Sequence, residues 1–125
     1  MKYKEINQKN INEFVVLFYT NIIKDEKVGP FFIEILGEDI NNTKWQTHIE
    51  LLTDFWASML LNDDNYSGSP FAPHVSMKAL KRETFQRWIE ILDETLNTLY
   101  EEETSKTFKQ IGQIMSRNFM RNLGL

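Results

Sequence analysis

Four long stretches of this chain place apolar residues at helical spacing, and that periodicity limits what it can fold into more than any motif does. In the first, Ile11, Phe14, Val15, Phe18 and Ile22 recur three or four positions apart. This helix is expected to start near Asn10, whose side chain can cap while Glu13 reaches back as a capping box. Gly29-Pro30 is expected to stop it, because glycine accepts a left-handed terminus and proline cannot extend the ladder. Pro30 then opens a short turn carrying Phe31, Phe32 and Ile35, closed by Gly37. The second long helix spans about Thr43 to Leu61, with Trp45, Ile49, Leu52, Phe55, Trp56, Met59 and Leu60 on one face. From Asn62 to Ser76 the period fails at Gly68, Pro70 and Pro73, which reads as a loop. A third helix, about Leu80 to Tyr100, turns Leu80, Thr84, Phe85, Trp88, Ile91, Leu92, Leu96 and Leu99 inward. A fourth, about Thr104 to Asn122, carries Phe108, Ile111, Met115, Phe119 and Met120. No run of four or more residues alternates as a strand would. The fold class is all-α.

A chain of 125 residues fits one domain, here 1–125, and a domain of that size buries roughly two thirds of the surface its unfolded form exposes. That suffices for a single core or one internal pocket. The longest apolar runs, such as 55–61, are too short to cross a bilayer. The mixed polar and charged residues from Lys2 to Asn10 lack the order of a secretory signal, so a cytoplasmic address is expected. Cysteine is absent, which removes disulfides, thiolate metal sites, iron–sulfur clusters and cysteine nucleophiles together. A formal net charge of −4, with basic residues scattered along the chain, argues against a nucleic-acid partner.

Only two histidines occur, His48 and His74. His48 falls within the apolar stripe of the second helix, where burying an imidazole without a partner costs roughly 1–3 kcal/mol. It is either a core histidine bonded to a carbonyl or buried water, or a functional group. His74 follows Pro73 in the irregular segment, either as a solvated loop residue or as a group presented by a loop on a rigid scaffold. Tyr19 sits at the margin of the first helix's apolar face, and its phenol needs a partner if buried. Trp88 is central on the third helix's inward face; it is either core filler or an N–H donor in search of an acceptor. The chain has no glycine-rich phosphate loop and no Gly-x-Ser-x-Gly. Glu101, Glu102 and Glu103 read as a solvated first turn that suits the helix dipole. Neither histidine has a glutamate three residues before it, so a di-iron bundle is excluded.

The ordered set of residues is more specific than any one of them. It comprises Phe18-Tyr19, Gly29-Pro30-x-Phe32, Trp45-x-x-His48 with Phe55-Trp56, Tyr66-x-Gly68-x-Pro70-x-x-x-His74, and Phe85-x-x-Trp88. Over essentially its whole length the chain resembles the truncated haemoglobins, specifically group III. Groups I and II usually carry Gly-Gly motifs near helix junctions, which this chain lacks, and His48 also fits group III better. The resemblance implies a two-over-two helical sandwich enclosing haem b. It makes His74 the proximal iron ligand and Tyr19, His48 and Trp88 the distal trio. Phe32 would pack against the porphyrin, while Leu52, Phe55 and Trp56 would wall the pocket. Met77, Lys78 and Leu80 depart from the family's usual run after the proximal histidine, so the haem propionate partners stay open among Lys78, Lys81 and Arg82.

What the resemblance implies functionally is binding of O2, and of CO and NO, at a histidine-ligated iron. Donors aimed at bound O2 favour tight binding and slow release, which suits peroxidase-like or NO-detoxifying chemistry better than bulk oxygen transport. Turnover would need an external electron donor, and a monomer is the simplest expectation. The alternatives are a haem-free helical interaction module and a haem-based gas sensor.

Overall fold

Asparagine 7, and not Asn10, begins the first helix. The computed structural model describes residues 2–61 and 80–125, so the expected loop at 62–76, with Tyr66 and His74, lies outside the described residues. In α1 (Gln8–Lys24) the Asn7 side chain accepts from the Asn10 backbone N–H at 2.8 Å, and Asn10 Oδ1 accepts in return from the Asn7 N–H at 3.0 Å. A reciprocal asparagine pair thus replaces the expected pairing of Asn10 with Glu13. Nor does α1 run on to Gly29-Pro30. It ends at Lys24 because Asp25 turns to extended backbone and its carboxylate accepts from the N–H groups of Lys27 and Val28, both at 3.0 Å. Gly29-Pro30 instead opens α2 (Gly29–Leu36), where proline's missing N–H costs nothing in the first turn. A Cβ on Gly29 would stand 2.6 Å from the Ile23 carbonyl oxygen, so the junction closes only around glycine.

The third helix, α3 (Thr43–Leu61), has the bounds its periodicity predicts. Asn42 joins it to α2: its Oδ1 accepts from Trp45 N–H and its Nδ2 donates to the Leu36 carbonyl, each at 2.8 Å. After the undescribed segment come α4 (Arg82–Leu99) and α5 (Glu102–Asn122). Both lie within two residues of their expected bounds, where helix ends are least defined. The N-terminal residues strap the α4–α5 turn. Tyr3 N–H donates to the Leu99 carbonyl at 2.8 Å, and Glu101 N–H donates to the Tyr3 carbonyl at 3.0 Å. This single parallel bridge is the sole β pairing among the described residues. No described helix is long and apolar enough to cross a membrane.

The pairing of helices sets the core. α1 lies against α3 on one side and α4 on the other, and α4 lies against α5. Phe14, fully buried on α1, meets Trp56 of α3 edge-on at 5.6 Å and Phe108 of α5 at 5.2 Å. α4 and α5 close up at Gly112, where an added Cβ would overlap Leu92 Cδ2. Leu92 is itself fully buried, so its side chain can give way only by shifting within the core. Gly112→Ala is therefore expected to cost about 1–3 kcal/mol, the usual penalty of overpacking. Urea unfolding reads it directly, and an unmoved midpoint would mean that Leu92 repacks freely.

One ion pair ties the α1–α2 corner to α4: Arg87 Nε donates to Asp25 Oδ1 at 2.7 Å. Burial pushes the Asp25 carboxyl up, but the Arg87 guanidinium and the N–H groups of Val28 and Lys27 together outweigh it and leave it below the ordinary 3.8. A lowered folded value means that the carboxylate's stabilisation is complete above the ordinary value. It is lost as pH falls through the lower one. Asp25→Asn keeps the two backbone acceptances and loses the charge, so it should destabilise by about 1–2 kcal/mol at pH 7. The gap from wild type should close on acidification to pH values below both; a constant gap in urea unfolding would refute the ionic role.

Candidate functional site

Tyr19, Phe32, Leu52 and Trp88, from four different helices, meet at one cavity. Val28, Leu80, Thr84, Phe85, Met115 and Phe119 complete its described lining. The walls are aliphatic and aromatic, and just three lining side chains carry polar atoms: Tyr19, Thr84 and Trp88. Helical spacing explains the convergence on α4, since Thr84 and Trp88 are four apart and share a face. On α1, Tyr19 belongs to the buried row that runs from Ile11 through Phe14, Val15 and Phe18 to Ile22.

Tyr19 is 2% exposed, and burial pushes its phenol far above the ordinary value of 10. It therefore stays protonated and can serve as a donor. Neither its O–H nor the Trp88 indole N–H meets a hydrogen-bond acceptor among the described residues. Tyr19 is buried and Trp88 half-buried beside the same apolar hollow, a place where an acceptor within the hollow would satisfy them. Thr84 Oγ1 accepts from Lys81 N–H at 3.3 Å, which leaves its own proton free to donate. His48 is buried on α3 with its ring centroid 4.9 Å from that of Tyr19, edge to face. Trp45, fully buried behind them, is pinned by its Nε1–H to the Gly37 carbonyl at 2.7 Å and packs on Tyr19, Phe32 and His48.

The cavity thus joins four of the residues singled out in the sequence, with a fifth, His48, against Tyr19. Phe55 and Trp56 are not among its described lining. Trp56 faces the Phe14–Phe108 cluster, with Phe55 at its edge. His74 lies outside the described residues. Sequence reasoning turned Leu80, Thr84 and Phe85 inward and placed Met115 and Phe119 on the fourth helix's apolar spacing without assigning any of them to the site, and it missed Val28, which sits in the α1–α2 turn outside any periodic stretch.

No protein-family model matches the chain. It is, however, 32% identical to the Group 3 truncated hemoglobin ctb of Campylobacter jejuni over 123 residues, covering 98% of this chain and 95% of that protein. The chain belongs to the group III truncated hemoglobins. The crystal structure of group III truncated hemoglobin from Campylobacter jejuni superposes with a TM-score of 0.89 at 32% identity, across 98% of this chain and 95% of that one. The all-α fold of this truncated hemoglobin is therefore the globin fold in its shortened form. The cavity's chemistry also fits a haem. Flat aromatic and aliphatic walls suit a porphyrin's faces, and the Tyr19 O–H and Trp88 N–H, without acceptors among the described residues, suit an electron-rich ligand bound inside.

Proposed function

We propose that this truncated hemoglobin holds haem b in the cavity between α1, α3 and α4 and binds O2, CO and NO there. One observation carries the reading: Tyr19 and Trp88, whose O–H and N–H meet no acceptor among the described residues, line the same apolar cavity. In this reading Phe32 and Leu52 pack against the porphyrin and Phe55 and Trp56 stiffen the wall behind them. His74 supplies the proximal imidazole from the segment beyond α3. The iron supplies reversible binding of a diatomic ligand and transfer of electron density to it.

The remaining work falls to the chain's own side chains. Tyr19 and Trp88 donate to the ligand, Tyr19 from a position held among Phe18, Phe32, Trp45 and His48, and Trp88 from a position against Phe18. His48, against Tyr19, fixes the phenol's orientation from one face. The apolar lining excludes water, which strengthens both hydrogen bonds. Each is worth about 1 kcal/mol net in a neutral pair and roughly 1.5–3 kcal/mol when the acceptor carries charge. Two such bonds hold O2 too tightly for bulk delivery, so the site suits turnover of O2, peroxide or NO with electrons from an external donor.

The test is an absorption spectrum of the haem-supplied protein, reduced with dithionite, before and after CO. A Soret band that shifts with CO and disappears in His74→Ala is the expected result. Protein that takes up no haem would overturn the reading and favour a haem-free interaction module.

A further inference from the structure

A column of aromatic rings leaves the cavity and ends at the surface. Trp88 and Tyr19 both touch Phe18, at ring-centroid distances of 5.3 and 5.1 Å. Phe18 stacks on Phe14 at 5.8 Å, and Phe14 meets Trp56 at 5.6 Å and Phe108 at 5.2 Å. Phe108 lies 4.8 Å from Tyr100, which lies 5.9 Å from Tyr3. Indole and phenol rings give up an electron far more readily than benzene rings do. Trp88, Trp56, Tyr100 and Tyr3 can therefore hold an electron vacancy in turn, with the phenylalanines as bridges between them.

The proton decides where that vacancy rests. A phenol that loses an electron becomes a strong acid, so its radical persists only beside a base. Tyr19 has no acceptor among the described residues, and Tyr100 donates to the neutral amide oxygen of Asn10 at 2.7 Å. Tyr3 alone of the column donates to a carboxylate, Glu13 Oε2, at 2.8 Å. It is also 36% exposed, whereas Tyr100 is 1% exposed, so a molecule from solution can reach Tyr3 and not Tyr100.

We propose that the column is an electron conduit and that Tyr3 with Glu13 forms a surface site where a small phenolic or enediol reductant is oxidised, one electron at a time. The proposal rests on the haem reading above, with hydrogen peroxide as the two-electron oxidant at the cavity. Tyr3 passes an electron inward and its proton to Glu13, leaving a neutral phenoxyl radical. The reductant then returns an electron, Glu13 returns the proton, and the reductant's own proton leaves to solvent. Two such rounds supply the electrons, and the two released protons balance the two consumed as peroxide becomes two waters. The product is two reductant radicals.

Hydrogen peroxide added to the haem-loaded protein, followed by rapid freezing and electron paramagnetic resonance, tests this. The expected result is a tyrosyl signal that is lost in Tyr3→Phe and diminished in Glu13→Gln, with guaiacol oxidation slowed in both. Each variant should keep the CO-bound spectrum of wild type, since neither residue touches the cavity. A peroxide-dependent change in the Soret band with the same tyrosyl signal in Tyr3→Phe would overturn the conduit and leave the haem reading standing. A protein without a Soret band would overturn both. A Soret band indifferent to peroxide would overturn the conduit and the peroxide chemistry together.

Discussion

Tyr19→Phe is expected to speed release of O2 roughly tenfold or more, with a smaller effect on CO. Tyr19 is nearly inaccessible and packed by Phe18, Phe32, Trp45 and His48, so removing one oxygen leaves the ring and its neighbours in place. What disappears is one donor in a dry cavity. A hydrogen bond to a partly charged acceptor is worth about 1.5–3 kcal/mol, and 1.4 kcal/mol is a factor of ten. O2 draws more negative charge than CO and should lose more. Stopped-flow replacement of O2 by CO measures the rate. An unchanged rate would show that Trp88 alone supplies the bond, and Trp88→Phe, measured in the same way, would then carry the larger effect. If both donors act on one ligand, the double variant should depart from additivity, as it does for residues sharing a partner.

The fold was legible wherever one face of a helix had to be buried. Thr43–Leu61 has the bounds its apolar stripe predicts, because burial of Trp45, Ile49, Leu52 and Trp56 alone fixes that face. Helix ends were less legible, since several residues can cap. Asn7-x-x-Asn10 and Asn10-x-x-Glu13 carry the same spacing, and only the burial of Asn10 under Tyr100 separates them. Asp25 ends α1 through contacts with Lys27, Val28 and, 62 positions on, Arg87, which no local pattern announces. The N-terminal strap likewise depends on Tyr3 meeting Tyr100 across nearly the whole chain.

For the site, the residue types were legible from the family resemblance and their convergence was not. Helical spacing turns Leu52 and Trp88 inward and leaves Tyr19 at the margin, where the structure buries it, but inward is also where Phe14, Trp56 and Leu92 point. What separates the two groups is which side of α1 they occupy. Phe14 faces Trp56 and Phe108 in a filled core, whereas Tyr19 faces the cavity beside Phe32. Thr84 shows the limit of pattern reading. Its spacing marks it as inward, and only the tertiary structure shows that it lines the cavity while its hydroxyl accepts from Lys81.

Asn10→Ala should be the costliest of the polar substitutions, at about 2–4 kcal/mol. Asn10 is 2% exposed and its side chain serves three partners. Its Oδ1 accepts from Asn7 N–H at 3.0 Å and from Tyr100 O–H at 2.7 Å, and its Nδ2 donates to the Glu5 carbonyl at 2.9 Å. Alanine removes half of the α1 capping box, worth about 1 kcal/mol, and strands the Tyr100 hydroxyl in the core, which costs a further 1–3 kcal/mol. Burial already holds that phenol well above its ordinary value, so it cannot escape the penalty by ionising. Tyr100→Phe alone should cost less, because Asn10 Oδ1 keeps the Asn7 N–H as a partner. In the double variant no hydroxyl remains to be stranded. Asn10→Ala with Tyr100→Phe is therefore expected to be less destabilised than the sum of the two single variants, with a coupling of about 1–2 kcal/mol. Urea unfolding of the four proteins closes the cycle. Strict additivity would mean that the two side chains contribute independently, and that water or a shifted neighbour satisfies the Tyr100 hydroxyl once Asn10 is gone.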